Sequence, residues 1–217
     1  MKFSMKRTAI AIALAGAAIG SQATVLTPLV LTSNVDVVAG SFGGTLLDSA
    51  VSTINNMSYN GTARTAVYKT ESGLDFYYQF TNNSSSKNGI ERFTGWDFSS
   101  LASTAVNVYQ TAASFDIFTA GTESSDYADR TTLGVIGFSF VPNTHSKINP
   151  GTTSYTQIIR TDATKYTEGN FGLLDGIGDN ARGFAPSAVP EPESYAMLLA
   201  GLGMVGTIIR RRKSTKS

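Results

Sequence analysis

Between residues 74 and 80 the chain reads Leu74-Asp75-Phe76-Tyr77-Tyr78-Gln79-Phe80. Leu74, Phe76, Tyr78 and Phe80 recur at period two, which gathers four large apolar side chains on one face of an extended strand but on no single face of a helix. The preceding stretch, residues 64–70, leads into it through Glu71-Ser72-Gly73, a turn signal that makes the pair a β-hairpin. A strand with one strongly apolar face must bury it against a second layer, so this run already points to packed sheets.

The rest of the body repeats the theme. It is rich in Ser, Thr, Asn and Gly and sparing of Lys, Glu and Leu, which disfavours long helices and suits strands joined by polar turns. Strands are expected over residues 93–98, 105–109, 115–118 (with Asp116 facing out), 132–141, 155–160 and 170–174. In the fourth of these, Gly134, Ile136, Phe138 and Phe140 share a side. Residues 46–54 carry weak helical patterning. Turn signals such as Asn60-Gly61, Pro142-Asn143 and Asn149-Pro150-Gly151 separate the runs. The expected fold is all-β, an antiparallel β-sandwich or jelly-roll-like body over residues 24–183. A Pro/Ala/Ser-rich linker follows over 184–193, with helices expected only in the two apolar ends.

Charge and cysteine content narrow the function classes. The chain holds 17 Lys+Arg and 16 Asp+Glu, but eight of the basic groups and two of the acidic ones lie in the ends, leaving the body at −5. A mildly acidic body excludes nucleic acid and anionic lipid as natural partners, since phosphate binding needs a positive field. With no cysteine there is no disulfide scaffold, thiol nucleophile or Cys-ligated metal site. About 165 residues suffice to bury a core without staples.

Chemistry-bearing patterns are sparse. The single histidine, His145, sits in a Pro-Asn-Thr-His-Ser turn, and no serine is framed by nucleophile-elbow glycines. No catalytic residue is assigned, and the body is read as non-enzymatic. Asp75, Glu91, Asp97 and Glu168 are the acids from which a secreted glycoside hydrolase would have to draw its pair. Calcium is the one cofactor considered: residues 123–129 and 175–180 are oxygen-rich loops, with Asp175 and Asp179 favoured as ligands. For carbohydrate binding the candidates are Trp96 and Tyr77, whose rings could stack on a pyranose face beside Asp97 and Gln79.

The two ends are more explicit. Lys2, Lys6 and Arg7 precede an Ala/Ile-rich stretch over 8–20 and a small-residue site, Ser21-Gln22-Ala23. This is a signal-peptide pattern over residues 1–23, cut between Ala23 and Thr24. At the other end Pro190-Glu191-Pro192 leads into an apolar stretch over 195–209 and then Arg210-Arg211-Arg212-Lys213. Fifteen apolar residues make roughly 22 Å of helix, short of the roughly 30 Å of hydrocarbon that a lasting span must cross. The basic cluster would stop transfer and stay cytoplasmic.

This order of prolines, Leu/Ala/Gly-rich apolar helix and basic end, over 189–213, resembles the PEP-CTERM sorting signal of Gram-negative envelope proteins. Tails of this kind also go under the name "ice-binding protein C-terminal domain", which describes the tail alone. The resemblance implies an exosortase-like processing enzyme as partner, with cleavage near Pro190-Glu191-Pro192. It also implies a transient stay at the inner membrane through residues 194–217, then the outer envelope or extracellular space, with extracellular polysaccharide as a further partner. A structural or interaction role in an exopolysaccharide or biofilm matrix is the leading expectation. A carbohydrate-binding module and a secreted hydrolase are the alternatives.

Overall fold

The computed structural model describes residues 24–29, 31–33, 35–95, 97–99, 101, 106–141, 147–187, 199–202 and 204. Among the described residues the body has thirteen strands: β1 (Thr24–Val25), β2 (Leu31–Ser33), β3 (Asp36–Val37), β4 (Thr45–Asn55), β5 (Asn60–Lys69), β6 (Leu74–Asn82), β7 (Arg92–Gly95), β8 (Val106–Thr111), β9 (Tyr127–Arg130), β10 (Ile136–Ser139), β11 (Thr156–Thr161), β12 (Tyr166–Asp175) and β13 (Ile177–Pro186). They form two sheets. Sheet A runs β1-β8-β11-β6-β5-β4 with β3 also on β8, and sheet B runs β13-β12-β7-β10-β9-β2. All pairings are antiparallel except β3 with β8. The all-β sandwich read from the sequence is the observed architecture.

The period-two run does what its pattern requires. Leu74, Phe76, Tyr78 and Phe80 enter the main core, where they meet Phe93, Phe138, Phe171 and Phe184 from sheet B and Phe140 just beyond β10. Ring contacts cross the interface, with Tyr78 and Phe171 centroids 5.2 Å apart and Phe76 and Phe98 5.3 Å apart. The β5–β6 turn closes as expected, Thr70 N–H donating to the Gly73 carbonyl at 2.8 Å. Sheet A is also buried on its other face. There Ala66, Tyr68, Tyr77, Tyr109 and Ile158 form a second cluster under Val38, Phe42, Phe115, Ile117 and Phe118, contributed by loops.

Several expectations are corrected. Residues 46–54 are not helical but lie in β4, with a register shift between Leu46 and Asp48. Residues 115–118 are a tight turn, Phe115 and Phe118 exchanging backbone hydrogen bonds while Asp116 takes φ 45°. Asp116 does face out, yet its carboxylate accepts the Tyr68 hydroxyl at 2.7 Å. The strand expected over 93–98 stops at Gly95, and Asp97 beyond it has φ 71°. The strand expected over 132–141 shrinks to β10. Its first residues are a turn in which a Cβ on Gly134, at φ 75°, would collide with the Ser99 backbone.

The last two strands are the largest difference. The strand placed at 170–174 is the middle of β12, ten residues long, and the loop expected at 175–180 is its hairpin into β13 through Gly176. Because β13 runs to Pro186, with Phe184 and Ala185 buried, residues 184–186 belong to the body and not to a linker. Residues 1–23 and the sorting motif at 190–192 lie outside the described residues. Helical conformation is seen at 199–202. Among the described residues no helix is long and apolar enough to cross a membrane.

Candidate functional site

Strand register builds the most elaborate polar arrangement on the outer face of sheet A. Tyr68, Asp75, Arg160 and Asn107 lie side by side across β5, β6, β11 and β8. Arg160 Nε reaches both Asp75 carboxylate oxygens at 3.1 Å, and a guanidinium NH2 adds a bond of 2.8 Å. The Asp75 side chain is fully buried and that of Arg160 is 22% exposed. Burial raises the Asp75 pKa, with the hydrogen bonds and charge of Arg160 pulling the other way. Arg160 also stacks on the Phe42 ring, 3.8 Å from its centroid. Tyr77 lies one row along, its hydroxyl accepting the Phe42 N–H at 3.3 Å.

An open groove of about 740 Å³ borders this arrangement, lined by Phe42, Thr45, Lys69, Thr70, Glu71 and Arg160 among others. A second, of about 520 Å³, lies on the other flank of the same β5–β6 turn and includes Leu47, Asp162 and Thr164. Sequence reading missed this site. Phe42 stands alone before Gly43-Gly44 with no periodic signal, and nothing local tells that Arg160 and Asp75, 85 positions apart, are cross-strand neighbours.

The sites expected from sequence fare differently. Tyr77 is fully buried and packs against Tyr68, Phe115 and Phe118, so its ring has no free face for a sugar. Gln79 beside it is equally buried, its amide exchanging hydrogen bonds with Thr119. Trp96 and His145 lie outside the described residues. Asp175 and Asp179 do come close to other polar groups, as a clasp between the β4–β5 and β12–β13 turns. Ser58 Oγ donates to Asp175 at 2.7 Å, Asn56 Nδ2 to Asp179 at 3.2 Å, and Lys147 stands 3.6 Å from Asp175 while pairing with Glu91. Among the described residues no three of His, Cys, Asp and Glu gather in a metal-holding group.

The remaining acids are similarly engaged. Arg92 grips Asp129 with two bonds, of 2.6 and 2.9 Å, across β10. It can cross there because Gly137 has no Cβ, which would collide with the guanidinium. Glu168 accepts Arg182 at 2.6 Å. Asp75, Glu91 and Glu168 thus each face a cation, and exposed Asp97 accepts the Ser99 hydroxyl.

Fold and ends together define a cysteine-free β-sandwich followed closely by a proline-marked apolar tail. Residues 188–213 match the PEP-CTERM protein-sorting motif, and the likeness is limited to that tail. A motif of this kind implies an extracellular protein sorted by exosortase. Comparison with curated proteins gave no match. Comparison with solved structures gave none either.

Proposed function

We propose that this is a non-enzymatic envelope or matrix protein. Its sandwich is exported, held briefly at the inner membrane by the C-terminal apolar segment, and released or transferred by exosortase-type processing to serve a structural or interaction role among extracellular polysaccharides. The observation that carries the reading is the sorting motif at 188–213, which begins two residues after β13 ends. The body supports it by spending its carboxylates on structural ion pairs. Intact-mass analysis with cell fractionation tests the claim. In a host lacking exosortase a heavier, membrane-associated form should accumulate, and an unchanged mature mass and location would sink it.

The groove beside Phe42 favours a second reading, carbohydrate binding at a place other than Trp96 or Tyr77. Threonine and serine hydroxyls with Lys69 and Glu71 surround a partly exposed ring there. Calorimetric titration with oligosaccharides would show binding that Phe42→Ala abolishes; no heat with the parent protein removes the idea.

A further inference from the structure

The described ends of the two sheets expose their backbones unequally. At one side of sheet A the border strands β1 and β3 have two residues each, and β2 at the border of sheet B has three. Border strand β13 is long, but hydroxyls from sheet A occupy carbonyls along it. Thr65 donates to Arg182 at 2.9 Å, Tyr78 to Phe184 at 2.6 Å, and Tyr59 reaches Ile177 at 3.4 Å. These are recognised ways of blunting an edge.

Border strand β4 is different. It has eleven residues, contains no Lys, Arg or Pro, and among the described residues pairs with β5 alone. Protection is concentrated at its start, where the register shift lies and the Asp48 carboxylate accepts Ser49 N–H at 2.8 Å and stands 3.9 Å from Arg182 of β13. The run from Ser49 to Asn55 beyond it is regular and uncharged, with Val51 61% exposed.

We propose that β4 is a self-association edge, and that two copies of this chain pair antiparallel through residues 49–55 about a twofold axis at Ser52. Self-complementarity selects a second copy as the occupant. That register sets Val51 of each copy against Thr53 of the other, two β-branched pairs on the outer face, and Ala50 against Ile54 on the inner. No charge is buried, and the two Asp48 carboxylates fall at opposite ends of the seam, roughly 25 Å apart at about 3.3 Å per residue. A parallel, in-register pairing would instead set them side by side. The result is a continuous sheet across both sandwiches, with at least about four new backbone hydrogen bonds.

The absence of cysteine makes the test clean. In the full chain, purified in mild detergent, Ser52→Cys places one thiol on the twofold, within disulfide reach of its copy. Under mild oxidation more than about half of it should become covalent dimer, against under about a tenth for Ser72→Cys at the exposed β5–β6 turn. Adding Val51→Lys, at a position outside the core, should abolish the cross-link without lowering the melting temperature. Equal cross-linking at both positions would mark association through the apolar tail and overturn the proposal. So would a monomeric Ser52→Cys, leaving the edge to a strand from another protein. Either failure leaves the exosortase reading untouched, because that reading rests on the sorting motif at 188–213 and is tested by mature mass and location.

Discussion

The Asp75–Arg160 pair allows a sharp test of what holds the second core together. Asp75→Asn keeps the shape but leaves the guanidinium beneath Phe42 without its counter-charge. Removing one partner of a buried pair typically costs about 3–5 kcal/mol. Arg160 retains 22% exposure and its stacking on Phe42, so the lower end applies, about 3 kcal/mol. Arg160→Met strands the carboxylate, and that side chain has no exposure at all. Asp75 then has less to offset the burial that raises its pKa. An acid whose pKa is higher folded than unfolded binds more protons when folded. The Arg160→Met protein should therefore be most stable at low pH and lose stability as pH rises from the unfolded value of about 3.9. The double variant Asp75→Leu/Arg160→Met removes both charges and should lie within about 1–2 kcal/mol of the parent, well below the sum of the two single costs. Urea denaturation of all four proteins at several pH values measures it. A cost under about 1 kcal/mol for Asp75→Asn, or a double variant no better than either single one, would refute the reasoning.

Further outcomes are expected. Burial lifts the Tyr59 pKa to about 12 and moves Tyr68, Tyr77 and Tyr78 the same way. Buried neutral tyrosines stabilise fully below their unfolded pKa of about 10 and lose that contribution above it. Cooperative unfolding with tyrosinate absorbance should therefore set in between about pH 10 and 12. Gradual tyrosine titration without unfolding would contradict it. Tyr78→Phe removes the donor to the Phe184 carbonyl and should cost about 1 kcal/mol in thermal or urea denaturation. Gly134→Ala meets both a left-handed φ and the Ser99 backbone, and should cost on the order of 2–3 kcal/mol by the same assay.

What the sequence made legible were features whose physics is local. The alternation of Leu74 to Phe80 needs only a pleated backbone, and it placed four core side chains correctly. β4 was obscured because Leu46, Ala50 and Ile54 recur every four residues, a spacing that suits one face of a helix as well as alternate positions of a strand. The β12–β13 hairpin was hidden by its own composition. Glycine, Asp and Asn at 175–180 are turn formers, yet ladder hydrogen bonds depend on backbone alone, and both strands are anchored by Phe171 and Phe184. The groove at Phe42 was not legible, since it is assembled by strand register and by a loop laid over sheet A.

That β13 continues to Pro186 sets the length of the leash on which the tail hangs. Pro190 lies four residue steps beyond Pro186, a reach of at most about 14 Å even when fully stretched. Tyr195, where the apolar stretch begins, lies nine steps beyond Pro186, or at most about 32 Å. An enzyme that cuts at the Pro-Glu-Pro site must therefore admit a folded sandwich to its threshold, and its catalytic centre has to open toward the bulk of its substrate. Under the anchoring proposed above, the same short tether would hold the uncut protein close against the bilayer, with the end of β13 the first part of the body a membrane-bound partner would meet.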